Sequence, residues 1–444
     1  MDKKVDLLKD GLFSIIIKYM VPSIFGMLGL ASCIFLDTMF IGWGIGNLGL
    51  ASLNIAIPTF NLFNSIGAVC GVGGATALAI SIGRKKYESL DEIFTLSIFI
   101  ATIIGILLTV FGIVFIDDIV NILGASSDTF SYVKSYLLVV LSGSLGFILQ
   151  NSMNVFVRND GNPKLSMWSI IFSNLTNIVL DYIFIFPLDM GMKGAALATV
   201  IAQFAGLFVL SFHFIKKKNT INFKFKKLKF TFLKRIITNG LPSFVLEISS
   251  GLVIFMFNIK IGEISGDLAL SAYSIIANVA LIFIAIFNGI SQGLQPIFGV
   301  NFGGGKTHRV LNSYKIGRNI TLLFGLLFFL IGFLKPEWIV NIFSKDTESL
   351  MEISVNGIRI YFIGFIIMGV NILNVGLLQA IEKSKISTIL SLLRGLVLIV
   401  IILNLFSKFF GLNGVWMTIP IVEGITFIIS TLLIKRDREI YGIN

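Results

Sequence analysis

Residues 21–42 read VPSIFGMLGLASCIFLDTMFIG, and 220 positions later, over 241–262, the chain reads LPSFVLEISSGLVIFMFNIKIG. Both stretches are apolar, both carry Pro-Ser at the second position, and both close on Ile-Gly. At about 1.5 Å per residue, each is long enough to cross a hydrocarbon layer of about 30 Å as a helix. The same offset pairs Gly83 with Gly303, and IVNI at 119–122 with IVNI at 339–342. It also pairs Asn151 and Asn154 with Asn371 and Asn374, and Gly191 and Gly194 with Gly411 and Gly414. One gapless offset across separated blocks marks an internal repeat.

The remainder of the chain is of the same kind. Of its 444 residues, 55% are hydrophobic and 13% charged, and the mean hydropathy is +0.92. Soluble domains do not sustain such a composition. Spans are expected near 15–43, 49–82, 93–116, 130–157, 165–187 and 191–215 in the first half. In the second half they fall near 236–261, 268–302, 313–334, 350–381, 386–407 and 411–434. The fold class expected is an all-α polytopic membrane protein, with twelve transmembrane helices in two pseudo-symmetric six-helix bundles. Because each half has an even number of spans, the bundles are parallel repeats about an axis along the membrane normal. Three parts follow: an N-terminal lobe over 1–215, a basic linker over 216–235, and a C-terminal lobe over 236–444 with a short tail.

The net charge of +11 follows topology, not nucleic acid. Alternate connections collect Lys3, Lys4 and Lys9, the RKK of 84–86, Arg158 and Lys164, the 216–235 segment, Lys306 and Arg309, Lys383 and Lys385, and KRDR at 435–438. The opposite connections hold Lys193, Lys335, Lys345 and Lys408. By the positive-inside rule both termini are expected in the cytoplasm and the chain in the cell membrane. The N-terminal MDKKVDLLKDGLFSIIIKYM mixes acids with bases and lacks a small-residue cleavage site. It reads as the entry to the first span, not as a cleavable signal. Linker 216–235 interleaves Phe with Lys, so it is expected to be either a solvated connection or an amphipathic segment on an anionic leaflet.

Within the spans, the repeat separates inherited features from local ones. Asp37 corresponds to Phe257, Asp181 to Ile401, Glu247 to Met27 and Glu423 to Gln203. The symmetric scaffold requires none of these acids, and a carboxylate in hydrocarbon costs roughly 2.5–3.5 kcal/mol on insertion scales. Topology places Asp37 and Asp181 at one depth in the outer half of the membrane. Asn177 lies one turn from Asp181 on the same helical face, and Thr199 enters at a similar level from span 6. No Lys or Arg lies near that depth in spans 1, 5 or 6, so an ion pair is a poor explanation. Such an oxygen-rich group takes a small hard cation or a proton. The duplicated Asn151 and Asn154 sit on one face and either line a substrate cavity or bond neighbouring helices. Cys33 and Cys70 lie in apolar segments and point to no disulfide or metal. His213 and His308 stand apart, in structural or solvated positions.

YMVPSIFGMLGLASCIFLDTMFIGWGIGNLGLASLNIAIP (19–58), GGATALAISIGR (73–84) and NIVLDYIFIFPLDMGMKGAALATVIAQ (177–203) together resemble the multidrug and toxic compound extrusion (MATE) transporters. The resemblance covers nearly the whole chain, and among the branches it is most like the DinF type. It implies a first-half cation site at Asp37, Asn177, Asp181 and Thr199, with Na⁺ or H⁺ as the coupling ion, and a bending point at Pro22. Cys33 stands where that branch often has an aromatic residue. The second-half site of the NorM-type branch is incomplete here. Glu247 falls about a turn early in span 7, and Glu382 sits at the end of span 10. Glu247 and Glu423 remain candidates for the substrate cavity.

The function this implies is secondary antiport, exporting amphipathic or cationic small molecules in exchange for inward H⁺ or Na⁺ by rocking of the two lobes. The alternative is a flippase for a lipid-linked oligosaccharide or another lipid. An enzyme is not expected, because no nucleophile, base or paired His/Glu set is apparent. No catalytic residue, cofactor, nucleic acid or further metal is expected, and the carrier is expected to be a monomer. NFGGGKTHR (301–309) looks like a phosphate-binding loop, yet with Gly305-Lys306-Thr307 at its end the required first glycine falls on Val300.

Overall fold

The computed structural model of the chain describes residues 6–224, 230–343 and 348–437, and these contain no strand. The first half begins with α1 (Leu12–Gly44), α2 (Asn47–Gly83) and α3 (Glu88–Val114), followed by the short α4 (Ile116–Ile122). Helices α5 (Ser127–Ser142) and α6 (Ser144–Asn159) meet at a 52° bend and make one crossing. Then come α7 (Pro163–Ile185) and α8 (Gly191–Ile215).

In the second half, α9 (Leu233–Gly303) holds two crossings broken at Gly266, and α10 (Thr307–Leu334) and the short α11 (Pro336–Phe343) follow. Helices α12 (Glu348–Tyr361) and α13 (Phe365–Ala380) form one crossing through a single 3-10 turn. Helix α14 (Ser384–Leu392), a π turn over Leu393–Val397, and α15 (Leu398–Arg436) form two more, broken at Gly411. With the breaks at Gly266 and Gly411 and the bent pair counted so, the described residues make twelve crossings.

The repeat extends to backbone conformation. Gly46 (φ 87°) stands opposite Gly266 (φ 66°), and Gly191 (φ 54°) opposite Gly411 (φ 58°). These positions reverse the chain between successive spans, in a region of φ that glycine enters without steric cost. Lys85 (φ 58°) and Gly305 (φ 69°) form a third such pair. Helices α4 and α11 begin at Ile116 and Pro336, again 220 positions apart, in stretches that sequence reading left as connections between spans.

Contact between the halves is concentrated at one end. Helix α9 packs on α2 and α1. Nearly every residue of α2 from Gly67 to Gly83 is buried, whereas its first half buries only scattered positions. Helix α9 is likewise closed from Phe287 to Asn301 and more open around 252–268. A Cβ on Gly73 would collide with the Ile236 carbonyl, so this close approach of α2 to α9 requires glycine. Thr76 accepts a hydrogen bond from Gln295 (3.3 Å), and Arg158 donates to Gln292 (2.8 Å), both across the halves.

The described chain ends lie at this same sealed end. Arg309 donates to the carbonyls of Leu7 and Asp10 (3.1 and 2.9 Å), and Asp437 pairs with Lys383 (2.5 Å).

The linker differs from expectation in its described part. Residues 216–224 are docked on the first half, and 225–229 lie outside the described residues. Ile221 is fully buried, and Phe223 packs on Phe94 with ring centroids 4.7 Å apart. The Asn222 N–H donates to Asp91 (2.8 Å), and the Lys224 ammonium pairs with the same carboxylate (2.5 Å). His213, which seemed isolated in sequence, is fully buried and bonded to Asp160 (2.8 Å). Asp160 also accepts from the Thr220 backbone N–H (2.8 Å) and hydroxyl. Apolar burial and two satisfied carboxylates outweigh the solvation of this stretch of linker.

Candidate functional site

Three helices of the first half meet at the site. Helix α1 brings Cys33 and Asp37, α7 brings Asn177 and Asp181 one turn apart, and α8 brings Thr199. The small residues of α8 at Gly194, Ala195, Ala196, Ala198 and Ala202 are buried and let α7 and α8 lie close, as small residues do in membrane bundles. Ser173 and Ser169 on α7 reinforce this contact by donating to the carbonyls of Ala202 and Gly206 (2.7 and 2.8 Å).

The four residues anticipated from sequence fall together. Asp181 is fully buried, Asn177 is 4% exposed, and Asp37 and Thr199 are half-buried. The two carboxyl groups face one another. Among the described residues, Asp37 Oδ1 and both oxygens of Asp181 are buried and accept no hydrogen bond. Neither acid has a Lys or Arg partner there. A bonded row surrounds them: Cys33 Sγ donates to Asn177 Oδ1 (3.0 Å), Asn177 Nδ2 donates to Thr199 Oγ1 (3.4 Å), and Thr199 donates to the Ala195 carbonyl (2.9 Å).

Two members of this group were not read from the sequence. Tyr136 of α5 is 1% exposed and lies beside Asp37, Asp181 and the Thr199 hydroxyl. Its signal was a phenol placed inside a span, in SYVKSYLLVV (131–140). Cys33, a departure from the family pattern, joins the polar row through its thiol. Two opposed carboxylates with unoccupied acceptor oxygens need a positive partner, because unpaired charge in a low dielectric is strongly disfavoured. Carboxylate, amide and hydroxyl oxygens together suit a hard monovalent cation or a proton. The equivalent of Asp37 in the second half, Phe257, stacks on Tyr273 at 5.3 Å and fills space only.

The candidates for the substrate cavity divide. Asn154 is committed to Ser166: Nδ2 donates to its carbonyl (2.9 Å), and Oδ1 accepts from its hydroxyl (2.7 Å). Asn371 donates to Glu423, and Asn374 donates to Ser430 (2.8 Å) and accepts from Tyr314 (2.8 Å). These asparagines bond helices together. Asn151 is half-buried against Gly67. Glu423 is no free cavity acid. Arg394 grips it through Nε (2.9 and 3.1 Å) and Nη2 (2.9 Å), so the charge is neutralised inside the second lobe. Glu247 is half-buried on α9 and makes no ion pair with the described residues. Helix α1 runs through Pro22 without a break.

Comparison with known proteins decides the family. The MatE family profile matches residues 22–183 and 242–406, two blocks whose first residues lie 220 positions apart. The chain belongs to the MatE family, that of the MATE transporters. It is 27% identical over 435 residues to the multidrug export protein MepA of Staphylococcus haemolyticus, covering 97% of this chain and 95% of that one. MepA of Staphylococcus aureus strain MRSA252 is 26% identical over 437 residues, at the same coverage. A solved MATE transporter of the MOP superfamily in an outward-facing conformation superposes with a TM-score of 0.92 at 23% identity, covering 100% of this chain and 99% of that one. A MOP superfamily transporter from Pyrococcus furiosus gives 0.90 at 23% identity, covering 98% and 97%. These two likenesses speak to the fold of this MATE chain.

Proposed function

We propose that this MATE chain is a secondary antiporter that exports amphipathic, often cationic small molecules and is driven by inward H⁺ or Na⁺ bound between Asp37 and Asp181. The observation that carries the reading is the pair of facing carboxylates whose buried oxygens accept no hydrogen bond. The family and the MepA relatives supply the transport class.

The basic, sealed end is the cytoplasmic face of a cell-membrane protein, and both described chain ends lie there. A carrier closed at that end and looser at the other stands ready to take its cation from outside. Cation binding and substrate binding oppose one another through the lobe arrangement, and the coupling is reciprocal. Asp37, Asn177, Asp181 and Thr199 hold the cation, with Tyr136 and Cys33 positioning them. Lobes 1–215 and 236–444 rock about their α1, α2 and α9 contacts. The flippase reading is weakened at the second-lobe polar centre, where Arg394 is already bound to Glu423 and so is not free to hold an anionic head group.

The test is substrate efflux from proteoliposomes under a Na⁺ gradient alone and a pH gradient alone. One gradient drives efflux in the unaltered protein, and neither does so in Asp37→Asn or Asp181→Asn. Full transport by both variants overturns the site.

A further inference from the structure

The second lobe carries a polar centre that nothing in the first lobe duplicates. Two of its members, the counterparts of α7 and α8, are shared with the first-lobe site and displaced by about a turn, and the third is the counterpart of α6. Arg394 occupies the position equivalent to Asn174, one turn before Asn177 in the first half. Glu423 is equivalent to Gln203, one turn after Thr199, and Asn371 is equivalent to Asn151. Helix α7 is α-helical throughout, whereas its counterpart holds a π turn over Leu393–Val397 that contains Arg394. Such turns interrupt the ordinary register of a helix and recur at functional sites.

The bonding is complete where the first lobe's is not. Glu423 is 3% exposed. Its Oε1 and Oε2 accept from Arg394 Nε at 2.9 and 3.1 Å, Oε1 from Arg394 Nη2 at 2.9 Å, and Oε2 from Asn371 Nδ2 at 2.7 Å. The Asn371 Oδ1 in turn accepts from Ser430 (3.3 Å). The other titratable group facing the pair is the buried Tyr361 of α12. Helix α9 packs on the adjoining Gly395 through Leu246 and Ser249, which flank Glu247 in sequence.

We propose that Arg394 is a built-in counter-cation, occupying in the second lobe the place that an exchangeable cation takes in the first, and that it thereby confines cation coupling to a single site. The guanidinium stays charged at any physiological pH and is tethered, so Glu423 neither gains nor loses a cation during transport. The inference rests on the reading of Asp37 and Asp181 as the coupling site. It adds that removal of Arg394 creates a second site at Glu423 and Asn371.

Thermal unfolding of the purified full chain tests this, across a Na⁺ series with choline holding ionic strength and across a pH series. In an Asp37→Asn/Asp181→Asn background, the unfolding temperature does not rise with Na⁺, and its pH profile is the baseline set by the remaining titratable groups. Adding Arg394→Gln restores a rise that follows the logarithm of Na⁺ or proton concentration, as ligand linkage requires. Adding Glu423→Gln to that variant abolishes the rise and leaves a folded protein. No cation response from Arg394→Gln in the background overturns the proposal. So does instability at every cation concentration when the Arg394→Gln/Glu423→Gln pair is folded. If the background itself still responds to Na⁺, the first-lobe reading fails separately, and the difference that Glu423→Gln makes still judges Arg394.

Discussion

Cys33 Sγ donates to Asn177 Oδ1 at 3.0 Å, which turns the other end of the amide, Nδ2, toward Thr199. A thiol on α1 therefore sets the orientation of an amide on α7, beside two carboxylates that those same helices carry. Replacing Cys33 by Ala removes the donor and frees the amide to rotate. A neutral hydrogen bond contributes about 0.5–1.5 kcal/mol, so the cation concentration for half-maximal transport rises by roughly twofold to tenfold. Cys33→Ser keeps a donor at that position and stays close to the unaltered protein. Cation titration of efflux in proteoliposomes distinguishes the two variants.

Asp37→Asn and Asp181→Asn have opposite consequences for stability and for transport. Each removes one of two opposed carboxylates and supplies an amide donor to the other. The cation-free protein therefore unfolds at an unchanged or higher temperature, while cation-driven efflux falls to the level of empty vesicles. A large loss of stability in both variants contradicts the electrostatic picture of the pair.

The sequence made the architecture legible because the repeat is gapless: Gly46 and Gly191 recur as Gly266 and Gly411 in the same backbone conformation. The cluster at Asp37 and Asp181 was legible for a related reason, since acids in apolar spans are rare and depth follows from topology. What it concealed were partnerships set by packing. Tyr136 reads as an ordinary span aromatic until α5 is packed beside α8. Glu423 looked like a free cavity acid, because its partner Arg394 lies in a separate crossing and reaches it from a π turn. Asp160 and His213 are 53 positions apart, and no periodicity links them.

Gln292→Leu is expected to loosen the sealed end. Arg158 is 3% exposed, and its Nη1 donates to Gln292 at 2.8 Å, while Nε and Nη2 have no partner among the described residues. Removing the last acceptor leaves a buried guanidinium unsatisfied, at a cost of about 1–3 kcal/mol to the closed arrangement. Spin labels on exposed positions of the two lobes at that end will report a broader distance distribution in the variant. An unchanged distribution excludes this pair as a determinant of closure.

Asp160→Ala is expected to release the start of the linker. The carboxylate accepts from His213, from the Thr220 N–H and from the Thr220 hydroxyl, so its loss leaves the buried imidazole held by Asn162 alone (3.3 Å) and Thr220 without these bonds. Burial of Ile221 and the Asp91 contacts of Asn222 and Lys224 remain, so the segment loosens without dissolving the lobe. The stability lost is about 1–3 kcal/mol, the usual consequence of stranding buried polar groups. Limited trypsin digestion reads it directly, because Lys216, Lys217, Lys218 and Lys224 lie along the segment. Cleavage there accelerates in Asp160→Ala and more strongly in Asp160→Ala/Asp91→Ala. Equal cleavage rates in all three proteins contradict a docked linker.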